Sequence, residues 1–117
     1  MDYSEIETNL TNEIKLSKEE ARVFLIVTTK GKMSSNEISN QLNLPLSDTK
    51  QAIEQLIKLG GFIELRDDLF EAMHPRFTAV NMYRRICERN NMEFKRNKIV
   101  DNIGVVLEKP YDDARTK

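Results

Sequence analysis

The chain carries one cysteine and one histidine in 117 residues, and no tryptophan. A single Cys87 excludes an intrachain disulfide and suits a reducing compartment. With only His74 beside it there is no Cys/His cluster at zinc spacing, so no metal site is expected. His74 reads as a turn residue before Pro75. Cys87 reads as a small apolar core residue, since redox sensing would require it at the surface beside Arg84, Arg85 and Arg89. No run approaches the 18 apolar residues of a membrane span, and the acidic start "MDYSEIETNL" lacks a signal peptide's apolar stretch. A cytoplasmic, nucleoid-associated protein is the expectation. No glycine-rich phosphate loop and no nucleophile motif occurs, which argues against an enzyme and against any cofactor. With 39% hydrophobic residues the chain can still bury one small core.

What is present is punctuation at helical intervals. Residues 1–16 are polar, with Ile6, Leu10 and Ile14 four apart, which fits either a short amphipathic helix or a loose arm. "LSKEE" places Ser17 three residues before Glu20, a capping box that opens a helix bearing Ala21, Phe24, Leu25 and Thr28 on one face and ending at Gly31. Ser35 then caps a second helix with Ile38 and Leu42. "NLPL" breaks it at Pro45, and Ser47 caps a third with Ala52, Ile53, Leu56 and Leu59 inward and Gly60 at its end. "FIEL" and "LFEAM" around "RDD" signal a β-hairpin, closed by Pro75. Two further helices follow, over about 77–90 and 94–108, before a frayed tail "KPYDDARTK".

The expected fold class is therefore mainly α with a small β-hairpin wing: a winged helix-turn-helix over 17–75, an N-terminal arm or short helix over 1–16, C-terminal helices over 76–109, and a tail over 110–117. "LSKEEARVF", "SSNEISNQLNLPLSDTKQAIEQLIKLG" and "FIEL…LFEAMHP" resemble the DNA-binding domain of the archaeal TrmB-like transcriptional regulators, and more loosely the MarR and ArsR winged-helix groups. The resemblance spans roughly residues 14–75. It implies a DNA-binding regulator whose third helix meets base edges, with no sugar-sensing portion.

Formal net charge is −1, but the charges are segregated. Residues 1–20 hold six acids and two bases. Residues 76–98 hold seven bases (Arg76, Arg84, Arg85, Arg89, Lys95, Arg96, Lys98) against Glu88 and Glu93. Phosphate contacts need cations from any element, whereas base reading can use neutral side chains. Double-stranded DNA is thus the expected partner. Ser47, Thr49, Lys50, Gln51, Gln55 and Lys58 come from the third helix, Arg66 from the wing tip, and Arg84, Arg85 and Arg89 from the basic run. Against the wing stand Asp67 and Asp68, which a tight turn explains equally well. The basic run also fits a plain solvated face, and the near-neutral third helix also fits a protein partner. The C-terminal helices either dimerise, with Ile99, Ile103, Val106 and Leu107 as the seam, or fold back on their own core. A homodimer is the expectation, because two linked half-sites gain affinity through effective concentration.

Overall fold

The computed structural model describes residues 1–116 and, among them, six helices and a small three-stranded antiparallel sheet. In chain order these are α1 (Tyr3–Glu13), α2 (Lys18–Lys30), β1 (Met33–Ser34), α3 (Ser35–Leu42), α4 (Leu46–Leu59), β2 (Phe62–Arg66), β3 (Leu69–Ala72), α5 (Pro75–Arg89) and α6 (Lys98–Arg115).

Capping sets most of these boundaries. Ser17 and Glu20 exchange both bonds of a capping box at the start of α2, at 2.9 and 3.1 Å. The box at α3 belongs to Ser34 and Glu37, not to Ser35. Ser35 is instead buried, and its hydroxyl donates to Asp68 in the β2–β3 turn at 2.6 Å. Ser47 does not cap α4 either. Pro45 occupies that position without a side-chain bond, and α4 begins one residue later at Leu46. The α3–α4 turn is closed by Asn43 in the left-handed region and by the Ser39 hydroxyl on the Leu44 carbonyl. Gly60, also left-handed, ends α4.

The apolar stripes fall where their spacing places them. Ala21 and Phe24 of α2, Ile38 of α3, and Ala52, Ile53, Leu56 and Leu59 of α4 share one core with Phe62, Phe70 and Ala72 of the sheet. Phe24 and Phe62 stack at 6.2 Å. Strand order is β1-β3-β2, with Phe62 opposite Ala72 and Ile63 opposite Glu71. A bulge at Leu65 lies between Glu64, which faces Phe70, and Arg66, which faces Leu69.

The chain's two ends complete this core rather than hanging from it. α1 is a formed helix that buries Ile6 and Leu10, with Ile14 just beyond it. Ile103 and Leu107 of α6 are fully buried among the same residues, and Val106 packs against them. The seam expected at Ile99, Ile103, Val106 and Leu107 is thus corrected: Ile103 and Leu107 fold back on the chain's own core, and only Ile99 stands well exposed. Nor does a tail begin at Pro110, because α6 runs through that proline to Arg115. Arg115 donates to the carbonyls of Val27 and Thr28 at the end of α2, pairs with Glu71 of β3, and lies over the Tyr111 ring. Those contacts offset the backbone bond that Pro110 cannot make.

Candidate nucleic-acid interface

α4 turns its apolar stripe inward, so the residues half a turn away face out. Ser47, Lys50, Gln51, Glu54 and Lys58 are exposed along this line, and Gln55 is half-buried beside it. Glu54 sits in the middle of the line and meets Lys58 at 3.5 Å. Thr49 does not belong to it. It is fully buried, and its hydroxyl donates to the Pro45 carbonyl at 3.1 Å, one turn back. Its expected role at a base edge is therefore withdrawn: a β-branched side chain on the inward stripe packs there and satisfies its hydroxyl locally.

Two grooves flank α4, and their charges are opposite. Towards the N-terminal half, Asp48, Gln51, Glu54 and Gln55 share a groove with Ser17, Glu19 and Glu20 of the α2 start. Gln51 and Gln55 thus stand among four carboxylates, a poor setting for a phosphate backbone. At the other end, Lys58 lines a second groove with Arg84, Arg85, Glu88 and Arg89 of α5. Arg85 creates this junction. Its guanidinium passes beside Gly60 and donates to the Lys58 carbonyl at 2.7 Å, at the negative end of α4. Arg84 bonds only Asn81, at 3.3 Å, among the described residues.

The basic run of 76–98 does not form one surface. Arg76 is held by Glu108 at 2.9 Å, Arg96 by Asp101 at 2.9 Å and Lys95 by Glu93 at 3.6 Å. Of the other four, Arg84, Arg85 and Arg89 converge with Lys58, itself paired with Glu54, as the cluster open to a polyanion, and Lys98 is exposed apart from them. Arg66 is exposed at the hairpin turn but does not line that cluster. The acids next to it are partly accounted for by structure. Asp68, at φ 56°, accepts from Ser35 and donates its N–H to Glu64 at 3.1 Å, while Asp67 stays exposed.

Sequence reasoning missed the acidic groove. Glu20 read there as half of a capping box and Glu19 as one of the acids of residues 1–20, and their approach to α4 follows from the packing of α2 on α4. It also missed a cluster at the start of α5, where His74 accepts from the Arg76 N–H at 3.2 Å and turns Nε2 to Glu108 at 3.3 Å, its ring 5.2 Å from Tyr111. The i, i+32 pairing of Arg76 with Glu108 leaves no local signal. Cys87 is buried, away from oxidants. No group of three or more potential metal ligands occurs among the described residues, and no helix there is long and apolar enough to cross a membrane.

Compared with models of known families, with curated proteins and with solved structures, the chain matches none.

Proposed function

We propose that this chain is a winged helix-turn-helix DNA-binding transcriptional regulator, working as a homodimer inside the cell. In this reading α3 and α4 are the helix-turn-helix, and the β2–β3 hairpin is the wing. The observation that carries it is the convergence of Lys58, Arg84, Arg85 and Arg89 at the C-terminal end of α4, with only Glu88 among them. A duplex backbone would be gripped there, across α4 and α5. The exposed Ser47, Lys50 and Lys58 then look along the groove towards base edges, and Gln51 and Gln55 contribute less than their side chains suggest.

A salt series tests this directly. Affinity for random duplex should fall steeply with salt. Replacing Arg84 and Arg89 together by alanine should flatten the log–log slope by roughly 1.8, about 0.9 per phosphate contact. Arg85 is left out of that variant because it also holds the end of α4. Absence of salt-sensitive duplex binding at micromolar protein would overturn the proposal.

A second reading rests on the acidic groove. If α4 serves as a protein-binding face, Glu19, Glu20, Asp48 and Glu54 would receive a basic segment of a transcription- or chromosome-associated assembly.

A further inference from the structure

The outer face of α4 has two unlike ends. At the C-terminal end Lys58 shares the basic groove with Arg84, Arg85 and Arg89, and Glu88 is the single acid in its lining. Along the N-terminal half Asp48 and Glu54 share the acidic groove with Glu19 and Glu20 of α2, and neither lysine nor arginine lines it. Glu20 also accepts the Ser17 N–H at 2.9 Å and keeps its negative charge in the groove. Apolar exposure falls at both ends as well. Leu46 and Ile57, exposed at 38% and 37%, are about three turns apart and so share one edge of the face.

These ends match under a two-fold rotation. Two copies of α4 laid antiparallel, with the axis crossing between Gln51 and Glu54, bring the Lys58 end of each over the Ser47 and Asp48 end of the other. The arginines of each α5 then approach Glu19 and Glu20 of the opposite α2, and this contact occurs twice. On the apolar edge Ile57 of each copy lies beside Leu46 of the other. Nearest the axis Glu54 meets Gln51, and its charge is offset by its own Lys58 at 3.5 Å. The helix dipoles also oppose, positive end beside negative. A parallel arrangement would set acids on acids and arginines on arginines. An unrelated basic peptide would fill one groove, whereas a second copy fills both.

We infer that the outer face of α4 docks on the same face of a second copy of this chain, acidic groove to basic groove, about a two-fold axis between Gln51 and Glu54. The contact is isologous and closes as a dimer. Exposed ion pairs contribute little individually and are screened by salt, so association is weak, with a Kd around 10–100 μM at low ionic strength. The dimer covers the basic groove. Where this rests on the DNA-binding reading, it is a resting form that duplex must open, distinct from the dimer proposed to act on duplex.

Solution mass across a concentration series without nucleic acid, at about 50 mM and about 500 mM salt, tests the contact. The wild type should pass from monomer to dimer at low salt and associate about tenfold or more weakly at high salt. Glu19→Lys with Asp48→Lys, and separately Arg84→Glu with Arg89→Glu, should each stay monomeric to about 0.5 mM. Mixed in equal amounts the two variants should form a dimer, because each supplies the charge that the other has lost. Damage to either fold would not be repaired by mixing, and circular dichroism checks each variant alone. A wild type that stays monomeric to about 0.5 mM at low salt would overturn the inference. So would a mass that climbs past two chains, a dimer indifferent to salt and to both variants, or a mixture that stays monomeric. Glu19→Lys with Asp48→Lys leaves Arg84 and Arg89 in place and should bind random duplex at least as tightly as the wild type. Because the mass series contains no nucleic acid, its failure leaves the DNA-binding proposal standing, and failure of duplex binding leaves this contact standing.

Discussion

Gly104 lies at a close backbone crossing of α5 and α6. A Cβ added there would lie 2.8 Å from the Arg76 Cα and 3.2 Å from the Pro75 carbonyl oxygen, so α5 and α6 would have to separate. Gly104→Ala should destabilise the fold by about 1–3 kcal/mol, read from the midpoint of denaturant unfolding. Gly61→Ala is the instructive contrast. Its Cβ would meet the Met82 sulfur at 2.7 Å, the far end of a flexible side chain that can swing aside, so the cost should be smaller. Arg115→Ala removes two carbonyl contacts at the end of α2 and leaves Glu71 unpaired where both side chains are about one-fifth exposed. We expect a loss of about 1–3 kcal/mol by the same measurement, with Arg115→Lys recovering only part because it lacks the planar fork.

At the scale of elements, the buried stripes and the order of segments are legible in the sequence, because periodicity reports burial directly. The 52-53-56-59 stripe of α4 needs no tertiary knowledge. Caps are legible only when the reciprocal partner is included. Ser34 has Glu37 at its third position whereas Ser35 does not, and the pair decides between two adjacent serines. Ser34→Ala should therefore cost about 1 kcal/mol. Ser35→Ala should act differently, by releasing Asp68 and raising hydrogen exchange in the β2–β3 turn. Two features were hidden because they depend on long-range contact. Pro110 and the polar residues after it signal an ending, and only the anchorage of Arg115 on α2 and β3 lets the helix continue. The Ile99–Leu107 stripe shows one apolar face without showing what covers it. Since Ile103 and Leu107 lie in the core, Ile103→Asp should unfold the protein rather than yield a folded monomer, a difference that circular dichroism separates at once.

The molecule as a whole is polar in the electrical sense, with acids at the start of α2 and α4 and cations where α4 meets α5. The sequence reveals part of this segregation as segment charge, but not that three of the seven bases in 76–98 are held by Glu93, Asp101 and Glu108. The candidate site was accordingly legible in its arginines and misread at its base-contacting end, where Thr49 is buried and Gln51 and Gln55 stand among carboxylates. Asp48→Asn with Glu54→Gln should strengthen duplex binding about 2- to 5-fold at low salt if DNA crosses α4, by lifting repulsion from its exposed line. The same pair should weaken capture of a basic polypeptide if that face binds protein. A titration against both ligands separates the two.

Arg115 has one more effect, on the order in which the structure opens. The ends of a helix ordinarily fray before its middle, and their amides exchange with solvent first. In this chain the last turn of α6 is moored to α2, β3 and the Tyr111 ring, while its first turn follows the irregular stretch at 91–97. The helix should therefore loosen first from the Lys98 end, and amides near Tyr111 should outlast those near Val100 in native-state exchange.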